Sequence, residues 1–392
     1  MAEVWFTCET VDSKGSWEMK IAIVTFYRVA NYGAMLQAYA LERYLEALGH
    51  QVVFISHPRT RERRLPFLRC LVSRRLKGIQ IKLKNYVRFP LTEFAADYPQ
   101  TRPCKTMDDV ACATEDCDAF IVGSDQMWNP LWCADDSLPL VMLDFAAVGK
   151  PRISYAASFG TTEWPANANA PLAGELLRKF TKISVREESG IALVQKLSGR
   201  TDAVCLLDPT LLHDAAFYRE LMLGHDGTVA ARHPYIFRYI LDDWDDAAST
   251  QKAFDVVQEA LGIPRVETDL FPVSGVLSPL CRMLGVTTKI PVPEWLAKIA
   301  HADFVFTNSF HGTVFAILFH KPFISLLLRG RMSGMNERLL SLLSKLGLSE
   351  RAVYANEIEK IKAMACQPIQ WVSVEERLRN LRQQTDAFFA RV

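Results

Sequence analysis

Four polar or small residues interrupt an apolar stretch late in the chain, where TNSFHGTVFAILFHKPF places Asn308, Ser309, His311 and Gly312 between two hydrophobic runs. The pattern predicts a strand that leads into a helix, with Ser309 as the N-cap. One interpretation of His311 is a packing residue beside that cap. Because a helix N-terminus attracts anions and a histidine exchanges a proton near neutral pH, we favour proton transfer at His311 beside an anion bound near the other three residues.

Two cations are candidates for holding that anion. Arg186 is the first charged residue after the apolar run KISV. It forms either a surface ion pair with Glu187 or Glu188, or a guanidinium fork on a carboxylate or phosphate, and the pattern leaves both open. Lys321 precedes the apolar run PFISLLL, where we expect a solvated side chain, with anion binding as the alternative.

Polar residues after three other apolar runs are the remaining candidates for substrate binding. They are Asn31 and Gly33 after the first run, Ser124, Asp125, Gln126 and Trp128 after the third, and Ser158 after the fourth. The stretch GSDQMW combines a carboxylate, an amide and an aromatic ring, which suits a sugar ligand as well as a simple turn. Asp125 is the candidate for a catalytic base. No G-x-G-x-x-G follows the first strand and no Walker loop occurs, which disfavours dinucleotide and ATP chemistry.

The elements that must position these residues follow a rhythm of short apolar strand, turn and amphipathic helix, which predicts α/β domains with parallel sheets. We expect an N-terminal Rossmann-like domain over residues 20–215, with about six strands, and a C-terminal one over 230–370. Residues 371–392 are expected to form a helix that crosses back onto the first domain, and residues 1–19 an extension. Ligands bind beyond the carboxyl ends of parallel strands, so the polar loops of both domains should face one cleft.

Composition narrows the class of protein. The 392 residues include 45 basic and 44 acidic side chains, so no overall field favours a nucleic-acid partner. The 9 cysteines are scattered without zinc-ligand spacing, which predicts reduced thiols, a cytoplasmic setting and no metal site. No apolar run reaches the length of a membrane span, and the first residues lack an export pattern.

Local charge is uneven in one place, because residues 57–89 hold 11 Arg and Lys against a single acid, Glu62. Hydrophobic residues alternate with these charges, so the basic segment Arg59–Arg88 is suited to lie on an anionic membrane surface with its cations at the headgroups. A solvated helical face is the alternative. Membrane contact would place the protein at the inner face of the membrane.

Six segments together resemble the polysaccharide pyruvyl transferase family. They are NYGAMLQAYAL, VGSDQMWNP, ISYAASFG, SVREESG, LLDPTLL and TNSFHGTVFAILFHKPF, in family order. The resemblance covers nearly all of the chain from Lys20 to about Leu348. It implies a two-domain fold like that of the GT-B glycosyltransferases, and transfer of pyruvate from phosphoenolpyruvate to two hydroxyls of one sugar as a cyclic ketal.

The same resemblance implies roles for two of the candidates: Arg186 would hold the anionic groups of the donor, and His311 would contact the donor as an acid or base. Asn308 departs from the acidic residue of the family pattern. We expect no cofactor, because arginine and backbone donors can neutralise the leaving phosphate. The acceptor would be a sugar of a surface polysaccharide or of its precursor on a membrane lipid carrier.

Two alternatives stay open. The first is a GT-B glycosyltransferase that uses a nucleotide sugar, although the stretch GTVFAILFH after His311 lacks the carboxylate that would hold the ribose. The second is a non-catalytic sugar-binding protein of an envelope-assembly complex.

Overall fold

The computed structural model describes most of the chain. The described residues are 19–29, 31–60, 94–131, 133, 135–166, 168–223, 233–241, 247–272 and 287–390. The predicted extension and nearly all of the basic segment therefore lie outside the described residues. Arg59, at the start of that segment, is described and forms a bidentate pair with Asp136, at 2.9 and 2.7 Å. Within the described ranges, no helix combines the length and the apolar character needed to cross a bilayer.

The first sheet consists, in the described residues, of six parallel strands in the order β2-β1-β3-β4-β5-β6. They are β1 (Lys20–Val24), β2 (Gln51–Phe54), β3 (Ala119–Val122), β4 (Arg152–Ala157), β5 (Lys182–Val185) and β6 (Val204–Cys205). Every residue of β3 and β4 is buried, which explains why these strands are continuous rather than alternating apolar runs. The six strands predicted for this half are confirmed.

The second sheet has five parallel strands among the described residues, in the order β13-β12-β11-β7-β8, and β9 and β10 form a separate antiparallel pair. The strands are β7 (Ile236–Tyr239), β8 (Val266–Glu267), β9 (Leu270–Pro272), β10 (Thr287–Lys289), β11 (Phe304–Thr307), β12 (Phe323–Leu326) and β13 (Ala352–Val353). The chain passes between the two sheets after β6 and before β7.

Helices follow most of these strands. Those of the first half are α1 (Tyr32–Ala47), α2 (Met107–Ala113), α3 (Leu138–Val141), α4 (Ala170–Arg178), α5 (Glu188–Ser198) and α6 (Ala215–Leu221). Those of the second are α7 (Ala247–Leu261), α8 (Val292–Ala300), α9 (Phe310–Leu318), α10 (Asn336–Leu346), α11 (Ile358–Cys366) and α12 (Trp371–Phe389). Asn31 caps α1 and Ser309 caps α9, each by accepting at 3.2 Å from a backbone N–H three residues later. Both helices thus begin beyond the carboxyl end of a strand.

The last helix crosses from the second domain back to the first, as predicted. Near its start, Glu375 pairs with Nε2 of His320 at 2.8 Å. Near its end, Nε of Arg382 donates to the carbonyl of Leu211 at 2.7 Å. Helix α12 therefore contacts both domains.

The start of α1 also fixes the two domains to each other. The ring of Tyr32 stacks on Trp295 of α8 with 4.7 Å between centroids, and its hydroxyl donates to the carbonyl of Ile290 at 2.9 Å. Both aromatic side chains are buried. The first residues of α1 are consequently held against the second domain, next to the start of α9.

Candidate active site

Arg186 lies just beyond the end of β5, and only 1% of its side chain is exposed. Its Nη1 donates to Oδ2 of Asp208 at 2.8 Å and its Nη2 to Oδ1 of Asp125 at 3.4 Å, while the guanidinium lies 4.6 Å from the ring centroid of Phe310. Burial by itself would lower the pKa of Arg186, but the carboxylates of Asp208, Asp125 and Glu187 outweigh burial and raise it. Its Nε is also buried and has no hydrogen-bond partner among the described residues.

The alternative of a surface ion pair for Arg186 is wrong, because its main partner is the buried carboxylate of Asp208. Glu188 instead pairs with Lys345 of α10 at 2.7 Å, a further contact between the domains. The position of Arg186 at a strand end therefore indicated its environment better than its acidic neighbours did.

Asp208 joins the charged groups of this site, and it was not among the candidates from sequence. Its Oδ1 accepts from the backbone N and the hydroxyl of Thr210, at 3.0 and 2.6 Å. Its Oδ2 accepts from Arg186 and from Oγ of Ser124, at 2.8 Å each, and lies 3.5 Å from Nε2 of His311. Burial would raise the pKa of Asp208, but its interactions with His311, Arg186 and Thr210 outweigh burial and hold the pKa well below its ordinary value.

His311 lies in the first turn of α9 and meets the first domain across the cleft. A Cβ added at Gly33 would lie 1.9 Å from Nδ1 of the His311 ring, so the ring can lie there only because position 33 has no side chain. On the other edge of the ring, Nε2 is buried beside Asp208 and makes no hydrogen bond to any described residue. Asn31, two residues before Gly33, is exposed. Gly33 and His311, predicted in separate domains, therefore touch.

A second buried guanidinium, that of Arg338 in α10, was also missed. Its Nε donates to the carbonyl of Met335 at 3.2 Å, and the guanidinium lies 5.8 Å from the ring centroid of Phe310, on which Arg186 also packs. No carboxylate of the described residues forms an ion pair with it. Burial, and next the charge of Arg186, lower the pKa of Arg338 to about 10, so it is charged at neutral pH. The carboxylates of Asp125, Glu187 and Asp208 oppose this shift but do not offset burial, so the buried charge is costly and a bound anion would reduce that cost.

The loop after β3 brings Ser124 and Asp125 to the same place. Ser124 donates to Asp208, so it orients a carboxylate within the protein. Asp125 adopts a φ of 70°, a left-handed conformation that costs a non-glycine residue about 1–3 kcal/mol. This conformation places its carboxylate beside Arg186 with 14% of the side chain exposed, whereas Asp208 is inaccessible. Asp125 thus keeps the access that a catalytic base needs.

Glu187 fixes the loop after β4. Its Oε1 accepts from Oγ of Ser158 at 3.1 Å and from the backbone N atoms of Phe159 and Gly160 at 2.8 and 3.1 Å. Burial raises the pKa of Glu187, although Arg186 and these donors oppose it. Ser158 therefore maintains the shape of this loop, and its hydroxyl is engaged within the protein.

Three other predicted binding residues hold the backbone of the site. Asn308 pairs with the backbone of Leu241 at the end of β7, accepting at 2.7 Å and donating at 2.8 Å. Gly312 allows α9 to approach Thr307, since an added Cβ would lie 2.5 Å from its Oγ1. The side-chain oxygen of Gln126 accepts from a neighbouring asparagine in the same loop. These contacts explain the residue types without a ligand.

The prediction that Trp128 stacks on a sugar is wrong. The side chain is fully buried, and its Nε1 donates to the carbonyl of Val141 at 3.0 Å. Its ring packs against Phe159 and Phe180. Trp128 supports the loop from the core, and no face of the ring is open to a ligand.

Lys321 lies apart from these residues along the strands. It precedes β12, and Asp303, whose charge acts on it, precedes β11, so both lie at the amino ends of strands. Burial lowers the pKa of Lys321. His311 follows the carboxyl end of β11, at the opposite edge of the same sheet.

Comparison with solved structures bears on the fold. A UDP-GlcNAc 2-epimerase from Methanocaldococcus jannaschii aligns with a TM-score of 0.52 and 11% identity, over 94% of this chain and 99% of that one. A putative UDP-N-acetylglucosamine 2-epimerase from Listeria monocytogenes gives 0.48 and 10%, over 93% and 91%. UGT89C1 from Arabidopsis thaliana gives 0.47 and 11%, over 93% and 98%. The likeness shows the fold alone: two α/β domains in the GT-B arrangement.

Comparison by sequence bears on the family. No curated protein matches the chain. The family model described as polysaccharide pyruvyl transferase matches residues 31–329, more than half of the chain. The matched range contains Gly33, Asp125, Arg186, Asp208 and His311, the residues that meet at the cleft. The chain therefore belongs to the polysaccharide pyruvyl transferase family.

Proposed function

We propose that this protein transfers pyruvate from phosphoenolpyruvate to two hydroxyls of one sugar, forming a cyclic ketal and releasing phosphate. Family membership supports pyruvyl transfer in general. The observation that carries the choice of donor is the pair of buried guanidiniums, those of Arg186 and Arg338, which both pack on the ring of Phe310. Phosphoenolpyruvate has a carboxylate and a phosphate on adjacent atoms, and a guanidinium fork suits each of them.

Unpaired donor groups around this pair favour an anionic ligand. The buried Nε of Arg186 makes no hydrogen bond to a described residue, and Arg338 forms no ion pair with the three carboxylates near it, those of Asp125, Glu187 and Asp208. The N-termini of α1 and α9 add the partial positive charge of their backbone N–H groups. A dianionic or trianionic donor would satisfy these groups together, which supports phosphoenolpyruvate over a neutral sugar at this position.

The reaction begins at the enol double bond. In our proposal its electrons take a proton from His311 at the methylene carbon, while a sugar hydroxyl attacks the neighbouring carbon. The bond from that carbon to the phosphate oxygen then breaks, and a second hydroxyl attacks the same carbon to close the ketal. Asp125 accepts the hydroxyl protons in turn. Of the two protons released, one replaces the proton given to the methylene carbon and the other leaves with the phosphate.

For the acceptor, we propose a sugar of a surface polysaccharide or of its lipid-linked precursor at the inner face of the membrane. The family supports a polysaccharide product. The 11 basic residues among residues 57–89 support contact with an anionic surface, where each cation adds about 1 kcal/mol. A lipid-linked acceptor would then be presented to the cleft by the membrane to which the protein binds.

The test offers the protein phosphoenolpyruvate or nucleotide sugars, each with a panel of methyl glycosides that carry neighbouring hydroxyl pairs. Release of inorganic phosphate that requires both phosphoenolpyruvate and a sugar supports the proposal. Release of a nucleoside diphosphate would instead indicate a glycosyltransferase. Binding of a glycoside by calorimetry, with no release from either donor, would indicate a sugar-binding protein.

A further inference from the structure

We propose that Asp208 is a positioning residue that holds two side chains in place, His311, which gives the proton, and Arg186, which binds phosphoenolpyruvate. It does so by accepting a hydrogen bond from Nε2 of His311 when phosphoenolpyruvate is bound. The inference rests on the proposed function and extends it. Asp208 is buried and need not touch the donor, because it acts through the two side chains that do.

The two oxygens of Asp208 have different surroundings. Oδ1 accepts from the backbone N and the hydroxyl of Thr210, and these bonds hold the turn that follows β6. Oδ2 is shared by Arg186, Ser124 and His311, which come from three separate elements of both domains. A carboxylate that only stabilised its own turn would need Oδ1 alone. The arrangement around Oδ2 therefore indicates a second role.

The contact between His311 and Asp208 is longer than an ordinary hydrogen bond. Its Nε2 lies 3.5 Å from Oδ2, is buried, and makes no hydrogen bond to any described residue. Such a nitrogen is costly to leave unpaired, and a shift of about 0.5 Å would bring it to the usual N–H···O distance. His311 and Asp208 belong to opposite domains, so an anion that draws the domains together would close this gap.

A hydrogen bond at Nε2 would also decide which ring nitrogen of His311 gives its proton to phosphoenolpyruvate. With Nε2 donating to Asp208, Nδ1 is the ring nitrogen that remains for the methylene carbon. Nδ1 packs against the backbone at Gly33, where a side chain would displace the ring. Asp208 and Gly33 would then fix the two edges of the His311 ring in a single orientation.

The substitution Asp208→Asn separates the role of Oδ2, which faces Arg186 and His311, from the role of Oδ1, which holds the turn after β6. The backbone N–H of Thr210 needs an acceptor, so the new carbonyl oxygen would take the place of Oδ1 and the new amide group that of Oδ2. The amide would then point hydrogen atoms at Arg186 and His311, which themselves donate. The control is Thr210→Val, which removes the other side-chain bond to the same carboxylate and keeps its charge.

Two measurements test the proposal. With phosphoenolpyruvate and sugar, Asp208→Asn should lower kcat about a hundredfold, as loss of an oriented proton donor does, while the Kd for phosphoenolpyruvate changes less. Thr210→Val should keep kcat within about twofold, since it leaves Oδ2 untouched. An Asp208→Asn enzyme with the kcat of the control would overturn the proposal.

The second measurement does not depend on turnover. In proton NMR with phosphoenolpyruvate, or with inorganic phosphate as a bare anion, the imidazole N–H of His311 should appear as a slowly exchanging downfield resonance, assigned by its loss in His311→Ala. It should be absent from Asp208→Asn and present in Thr210→Val. If the wild-type protein lacks this resonance, the proposal fails even where Asp208→Asn does not fold. If the resonance depends on Asp208 but no phosphate is released, the proposed function fails and the contact stands.

Discussion

Gly33→Ala should abolish most of the activity of a folded protein. The added Cβ would lie 1.9 Å from Nδ1 and 2.2 Å from Cγ of His311, whereas ordinary contacts begin at 3.4 Å. Either the ring or the whole second domain must therefore retreat by about 1.5 Å, the difference between 3.4 and 1.9 Å. Both movements take His311 away from the donor site. Because a misplacement of about 1 Å costs about a hundredfold in rate, kcat should fall by at least that factor.

The effect of Gly33→Ala on stability should be modest, because two contributions oppose each other. Alanine is favoured over glycine inside a helix by about 0.5–1 kcal/mol, and the clash costs about 1–3 kcal/mol before the ring moves. The free energy of unfolding should therefore fall by about 0–2 kcal/mol. The melting temperature should remain close to that of the wild-type protein.

The assay compares Gly33→Ala with Gly49→Ala, just beyond the other end of the same helix. A Cβ at Gly49 would meet nothing within 4 Å, but its φ of 89° is unfavourable for alanine. The control should lose about 1 kcal/mol of stability and keep its kcat. Wild-type kcat in Gly33→Ala would refute the reasoning, because it would show that catalysis does not need the His311 ring where the structure places it.

Three further predictions concern charge. Arg338→Met should raise the KM for phosphoenolpyruvate about tenfold or more and also raise the melting temperature, since it removes a buried charge whose cost the nearby carboxylates do not offset. A lower melting temperature with an unchanged KM would make Arg338 a structural residue. Burial, together with the charge of the nearby Glu46, raises the pKa of Glu42 from its ordinary 4.5 to about 7. The folded state therefore binds this proton more tightly than the unfolded state does, and the protein loses stability as the pH rises from 4.5 to about 7. Glu42→Gln should therefore stabilise the protein by about 2–3 kcal/mol at pH 8 and not at pH 4 in urea titrations, and equal effects at both pH values would contradict this. The protein should sediment with anionic but not neutral vesicles at low salt, and it should lose this binding when four arginines of the basic segment are replaced by glutamine; unchanged sedimentation would indicate an ordinary solvated surface. The four are Arg63, Arg64, Arg74 and Arg75.

The sequence was sufficient to predict the two parallel sheets and the meeting of their polar loops. Buried parallel strands are continuous apolar runs, so their ends are visible in the sequence, and the residue after such a run lies at the ligand-binding edge. This rule located Arg186 and His311. It applies equally to Asp208, which follows the run AVCLL, so the position of this residue is also visible in the sequence.

Other features of the site depend on packing that no local pattern shows. Arg338 lies in the first turn of α10, and it reaches the site because the segment before it packs on the loop of the first domain, where Gly334 lies close to the carbonyl of Gly160. Trp128 does not reach a ligand because its ring points into the core, although other residues of its loop lie at the site. Sequence spacing fixes neither of these.

The most direct test of the central claim follows the donor carbon. Phosphoenolpyruvate labelled with carbon-13 at the enol carbon is incubated with the protein and a sugar acceptor, and carbon NMR is recorded together with phosphate release. We predict a ketal carbon bound to the sugar, formed in equal amount with phosphate, and formation about a hundredfold slower in His311→Ala. Label that stays in phosphoenolpyruvate, or that appears only in free pyruvate, would contradict the account.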